Sequence, residues 1–283
     1  MLFDRLIDIL ATGTQLNLND PFRNGNMLCF PGEGELIISG DLHNHNRNFE
    51  RLQTVANLEA FPNRHVILQE LIHGGPLGPE GADVSLDMLL DAIAWSSRFP
   101  GQVHFLMANH DLAQVQGQPI LKDGYDLTDR FNRYLRARAG SDISAAKIAY
   151  RRAVLSMPLA AITLTGVFLS HSLPAPSDLE TFDLSILRRQ LTEADFARGG
   201  SVYQLLWGRN QTQEELNALG RAWWSDIFIC GHQAQDEGYG TIGDRMLIID
   251  SCHNHGMFLQ LDLSRQYTME DMVRSLRPLA SIA

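Results

Sequence analysis

The sequence predicts an α/β fold, and two regularities carry that prediction. Six short apolar runs of strand length recur between Leu36 and Ile249, and they alternate with stretches whose apolar residues repeat at helical spacing. Each run also ends in a residue that can offer an oxygen or an imidazole nitrogen. In α/β sheets the sites gather there, beyond the carboxyl ends of the strands.

The first run, Leu36-Ile37-Ile38-Ser39, closes on Gly40-Asp41-Leu42-His43-Asn44-His45. Asp41 and His43 are two residues apart, so an extended chain presents both on one side, as one strand would offer two ligands to one ion. A helix-like segment from Arg47 to Ala60 follows. The second run, Val66-Ile67-Leu68, leads into Gln69-Glu70 and then Leu71-Ile72-His73-Gly74-Gly75. The third, from Val103 to Met107, leads into Asn109-His110-Asp111. The fourth and fifth end at His171 and at Gly231-His232, and the sixth, from Met246, ends at Asp250 before Ser251-Cys252-His253-Asn254-His255. Helical spacing covers roughly Ser85 to Phe99, with Asp83 or Ser85 as its cap, then Leu127 to Ala139, Ala145 to Leu155 and Gln213 to Trp224. Ahead of the first run, the stretch from Met1 to Leu10 reads as a helix, and the Asn-, Gly- and Pro-rich stretch from Asn17 to Gly34 reads as loop. No repeat or linker interrupts the chain, so one domain over 1–283 is expected, with helix and loop in 1–34, a motif-bearing core in 35–264, and a tail or helix in 265–283.

Composition excludes several classes of function. A net charge of -10 argues against a protein that neutralises nucleic-acid phosphates. No apolar run approaches the roughly 20 residues of a membrane span, and charges interrupt the N-terminal apolar residues, unlike a signal peptide. Cys29, Cys230 and Cys252 lie far apart without C-x-x-C spacing. They suggest neither a disulfide framework nor a thiolate metal site, and a reducing, cytoplasmic setting is expected.

Any one strand-end donor is ordinary: a lone histidine there is most often hydrogen-bonded and structural, and Glu70 alone is a loop carboxylate. Six at successive strand ends, Asp41, His43, Glu70, Asn109, His171 and His232, make a donor set for two divalent ions. Carboxylate, amide and imidazole donors without thiolate suit Mn, Fe or Zn. A shared carboxylate would hold two ions roughly 3.5–4 Å apart, the spacing suited to in-line displacement at phosphorus. The chemistry indicated is hydrolysis of a phosphate ester.

From about Leu36 to Leu263 the sequence resembles the calcineurin-like metallophosphoesterase superfamily, and within it the phosphoprotein (Ser/Thr) phosphatase branch. Gly40-Asp41-Leu42-His43 stands where the family has G-D-x-H, and Ala108-Asn109-His110-Asp111 where it has G-N-H-E. His171-Ser172-Leu173-Pro174 resembles the end of its H-G-G-L-x-P segment, Leu205-Leu206-Trp207 its L-L-W, and His232-Gln233 through Gly238-Tyr239 its H-Q-x-x-x-x-G-Y. The resemblance implies a β-sandwich of two mixed sheets flanked by helices. It also implies a phosphomonoesterase working by attack of a metal-bridging hydroxide, with two divalent ions, Mn first and Fe or Zn as alternatives. Asp41 and His43 would hold one ion, Asn109, His171 and His232 the other, and Glu70 would bridge them. His110 would be the general acid, and Asp111 would join the catalytic set. Arg209, two residues past Trp207, is the candidate phosphate clamp, with Arg221 as competitor. The implied partner is a phosphorylated substrate, protein or small molecule.

The second motif departs from the family. Where the family has G-D-x-x-D-R-G, this chain has Gln69-Glu70-Leu71-Ile72-His73-Gly74-Gly75. The bridging Asp becomes Glu70, the Asp that charges the catalytic histidine becomes His73, and a phosphate-binding Arg becomes Gly74. In the late S-A-P-N-Y segment, His255 stands in place of Tyr. His73, His253 and His255 can form a different acid/base set or be structural. Two rival readings follow: a degenerate phosphatase-like protein that binds without turnover, and an amidohydrolase-like barrel in which His43 and His45 would both be ligands.

Overall fold

The computed structural model describes residues 2–282. In chain order its strands are β1 (Arg23–Asn24), β2 (Met27–Phe30), β3 (Glu35–Asp41), β4 (Arg64–Gln69), β5 (Val103–Leu106), β6 (Leu121–Lys122), β7 (Tyr125–Asp126), β8 (Ala160–Thr163), β9 (Val167–Ser170), β10 (Ile227–Cys230), β11 (Tyr239–Ile242), β12 (Met246–Ile249), β13 (Met257–Asp262) and β14 (Leu276–Pro278). The α-helices are α1 (Leu2–Leu18), α2 (Asn46–Ala56), α3 (Leu86–Arg98), α4 (Asn109–Gln116), α5 (Leu127–Ala139), α6 (Ile143–Leu155), α7 (Glu193–Phe196), α8 (Ser201–Trp207), α9 (Gln213–Trp223) and α10 (Met269–Ser275).

Two mixed sheets stack face to face. One has seven strands in the order β1-β2-β8-β9-β10-β12-β11, the other five in the order β14-β13-β3-β4-β5. All six apolar runs singled out in the sequence are strands of these sheets. Both faces of the sheets are covered, which is why the runs are continuously apolar rather than alternating. Along β3, Leu36 and Ile38 join Ile67, Leu247, Ile249 and Leu259 in the core between the sheets, while Ile37 joins Val66 and Leu68 under the helices. The fold is therefore the expected sandwich of two mixed sheets flanked by helices, and the barrel alternative is excluded. The parallel order β3-β4-β5, with α2 and α3 in its crossovers, points three strand ends the same way.

The sheets meet at those ends. Asp41 and Asp250, closing β3 and β12, form a parallel bridge, and Ser251 N–H donates to the Asp41 carbonyl at 3.1 Å. Gly40 makes the approach possible, because a Cβ there would strike the Ile249 carbonyl and the Asp250 nitrogen.

Several expectations need correction. The stretch from Asn17 to Gly34 is not all loop: β2 lies in it, buried and paired in parallel with β8 from Met27 against Ala160. The helix after the first motif stops at Ala56 rather than Ala60, because Asn57 takes a left-handed conformation (φ 41°) and its N–H caps Gln53 O. The last segment contains α10 and also β14, which pairs with β13.

Candidate metal centre

Each singled-out donor sits at the carboxyl end of a strand or in the turn after it. Asp41 closes β3. The backbone N–H groups of Leu42 and His43 donate to the Glu70 carbonyl, tying the first motif to the second. Glu70 follows β4, Asn109 and His110 open α4 after β5, and His171 and His232 follow β9 and β10. His43, Asn44, Glu70, His73 and His232 all have positive φ, between 41° and 68°. Left-handed backbone is costly for residues other than glycine, and such strain concentrates where a fold must aim side chains.

The side chains converge. Asn109 Oδ1 lies 2.7 Å from His171 Nε2 and 3.2 Å from His232 Nδ1. Glu70 Oε2 is 3.5 Å from both His43 Nε2 and His171 Nε2, and His171 Nδ1 is 3.7 Å from Asp41 Oδ1. Asp41, Glu70 and His171 form one group whose candidate ligand atoms all lie within 4.8 Å of one another, and His43, Glu70 and His110 form another. Glu70 is common to both. A carboxylate shared between two donor groups is the arrangement a bridging ligand needs.

The electrostatics are those of a site built for more positive charge than the described side chains supply. Asp41 and Glu70 are buried side by side. Burial, and then the neighbouring Glu70 carboxylate, hold the Asp41 carboxyl well above the usual range, and burial pushes Glu70 up to about 8. Burial and facing imidazoles hold His171 and His110 far below the histidine range; burial and then Arg209 lower His232 to about 3. His232 Nε2 is buried without a hydrogen-bond partner. Buried carboxylates strained toward their neutral form, beside unprotonated imidazoles and an unsatisfied ring nitrogen, fit divalent cations, which bind these side chains in the states protons disfavour.

Other expected participants fall around this centre. Asp111 accepts the Ala108 N–H at 3.0 Å, so its carboxylate closes the first turn of α4, and burial raises it to about 7. Arg209 is exposed, with no side-chain hydrogen bond or ion pair among the described residues, yet it acts electrostatically on Glu70 and His232. Arg221 lies in the last turn of α9 and is exposed. Of the three histidines of unassigned role, His73 lies apart, while His253 and His255 are neighbours, the His255 N–H donating to His253 Nδ1 at 3.1 Å. His73 Nδ1 contacts His110 Nδ1 at 3.3 Å, His253 Nε2 is 2.8 Å from the Gln235 carbonyl, and His255 is exposed. His45 Nδ1 accepts the Asn48 N–H at 3.2 Å, which makes it the cap of α2 rather than a partner of His43.

Sequence reasoning missed residues that aim the donors. Gln69 accepts at Oε1 near His171 Nδ1 (3.0 Å) and donates from Nε2 to the Ser39 carbonyl, fixing the imidazole against β3. Ser251 Oγ accepts the Gly40 N–H at 2.9 Å. The signal for Gln69 was present, a side chain standing where the family motif has glycine. Gly231 is equally demanding, since a Cβ there would collide with the Asp41 carboxylate.

No protein-family model and no curated protein matches the sequence. Solved structures do match the fold. A protein serine/threonine phosphatase from Saccharomyces cerevisiae, described as similar to human phosphatase PP5, aligns at TM-score 0.66 over 98% of this chain and 93% of its own, at 13% identity. The cold-active protein-tyrosine phosphatase of a psychrophilic Shewanella aligns at TM-score 0.62 over 94% of this chain and 84% of its own, at 14% identity. The chain has the fold of these phosphatases, and that fold is the sandwich of two mixed sheets flanked by helices that the sequence resemblance implies. Among the described residues no helix is long and apolar enough to cross a membrane.

Proposed function

We propose that this chain is a metal-dependent phosphoesterase that hydrolyses phosphate monoesters at the shared ends of the two sheets. The observation that supports it most is the position of Glu70, common to two groups of donors that converge from four strand ends. Asp41, His43, Glu70, Asn109, His171 and His232 would hold two divalent ions, with manganese the first to test. Bound ions would supply Lewis-acid polarisation of the phosphoryl group and of the attacking water. The chain's own residues do the rest. Gln69 accepts from His171 Nδ1–H and so holds the ring in place. Arg209 offers a guanidinium fork to phosphoryl oxygens, a geometry that matches them. His110, at the start of α4, handles the proton.

The test is to strip the protein of metal, reload it with Mn, Fe, Zn or Mg, and follow hydrolysis of an aryl phosphate beside Asp41→Ala. Metal-dependent turnover lost in the variant is expected. Turnover retained in Asp41→Ala would overturn the site. Tight metal binding with no turnover on any phosphoester would favour a phosphate-binding protein on the same fold, the reading to which His73 and Gly74 lend support.

A further inference from the structure

The outer face of the seven-stranded sheet is incompletely covered beside the β8–β9 hairpin. Ile162 and Phe168 are cross-strand neighbours on that face, Phe168 packs on Trp223 with ring centroids 4.9 Å apart, and next to them opens a cavity of about 420 Å³. The helical turn Leu184–Leu187 forms another wall, and the exposed Arg188 and Trp224 mark the mouth. None of these residues belongs to the metal centre. Trp224 follows α9 in a left-handed conformation (φ 56°), which glycine adopts without strain, and it is 88% exposed. A strained, exposed indole beside an open apolar cavity is surface that a ligand can cover. Arg188 is the one charged residue lining the cavity among the described residues. Its neighbour Arg189 is held by Asp183 and Asp195 at 2.9 and 2.6 Å, whereas the Arg188 side chain has no hydrogen bond or ion pair among the described residues.

We propose that this cavity binds a small aromatic carboxylate, with its rings against Phe168, Trp223 and Trp224 and its carboxylate on Arg188. The volume lies at the small end of ligand pockets, roughly 300–1,000 Å³, and suits a molecule of one or two rings. Three aromatic side chains make the body aromatic rather than aliphatic, because ring pairs gain more than their buried area alone. The free guanidinium makes the head an anion, and its fork matches a carboxylate with two parallel hydrogen bonds. One arginine balances one negative charge, which a carboxylate carries, whereas a phosphate monoester near neutral pH carries almost two. The chain as a whole has a net charge of -10 and repels anions, so attraction is confined to this mouth. The site is separate from the metal centre and stands whether or not the chain hydrolyses phosphoesters.

The test is isothermal titration calorimetry of the full chain with naphthalene-2-carboxylate, beside naphthalene-2-methanol as the neutral molecule of similar shape. The carboxylate is expected to bind one per chain with a Kd of roughly 10–100 µM, about 10-fold or more tighter than the alcohol. The affinity should be the same with and without added Mn. Arg188→Gln should abolish the preference for the carboxylate, and Trp224→Ala should weaken both ligands about 5-fold or more. Both residues are exposed, so the urea midpoints of the two variants should match the native chain or exceed it. No binding of the carboxylate, equal binding of the two ligands, or affinities unchanged by either substitution overturns the proposal. Binding that requires Mn overturns it too, since the carboxylate would then sit in the metal centre. A chain that sediments as a dimer, and as a monomer once Trp224 is replaced, also overturns it, because a second copy would cover the cavity.

Discussion

Both ends of the parallel pair β4–β5 carry buried imidazoles near carboxylates, to opposite effect. At the amino ends, His65 Nδ1 lies 3.1 Å from the Gly101 carbonyl and 3.2 Å from His104 Nε2, and His104 Nδ1 lies 2.6 Å from Asp20 Oδ2. Phe22 and Phe30 pack edge-on or tilted against the rings. The Asp20 carboxylate anchors His104, and His104 in turn meets His65, in one chain of hydrogen bonds. At the carboxyl ends two buried carboxylates repel each other among imidazoles held neutral, and His232 Nε2 has no partner. A buried polar cluster that satisfies itself holds the fold together, whereas one left short of positive charge is prepared for a ligand.

The sharpest way to break this contrast is to remove a donor at each end. Asp41→Ala is expected to lower metal-dependent turnover and metal affinity by more than about 100-fold, since even losing an outer partner of a ligand costs 10–100-fold. Metal content and aryl phosphate hydrolysis read the effect. At the other end, Asp20→Ala leaves the His104 ring buried without its acceptor. It should cost about 1–3 kcal/mol in urea denaturation and leave turnover of the loaded protein intact. Gly231→Ala forces a methyl group against the Asp41 carboxylate, so about 1–3 kcal/mol of strain should accompany weakened metal uptake. If Gly231→Ala bound metal normally, the close approach of β10 to Asp41 would have no part in shaping the site.

A smaller effect should appear with pH. Burial, and then the facing His104, lower His65 to about 4 from the usual 6.5. Between those values the unfolded chain binds a proton that the folded chain refuses. The contribution of His65 is therefore present above pH 6.5 and lost as pH falls toward 4. Denaturation midpoints of metal-free protein at pH 4.5 and 7 should differ less in His65→Gln than in the native chain. An equal difference in both would free His65 of that role.

Much of this was legible in the sequence. The six strands were visible because a strand buried on both faces is a local apolar run, and their terminal donors because ligand pairs such as Asp41 and His43 are close in sequence. Four of the helices fell within a few residues of their observed limits for the same reason, with α5 read at Leu127 and Ala139. Tertiary structure alone decided the rest. β2 is a strand because β8, more than a hundred residues later, offers it a parallel partner. Asp20 pairs with His104 across 84 residues, and Gln69 with His171 across 102. Of the histidines near the first two motifs, the sequence could not say that His45 would cap a helix while His73 would join His110. That choice depends on which way each turn aims an imidazole, and the turns are fixed by strand register and by the meeting of two sheets at Asp41 and Asp250.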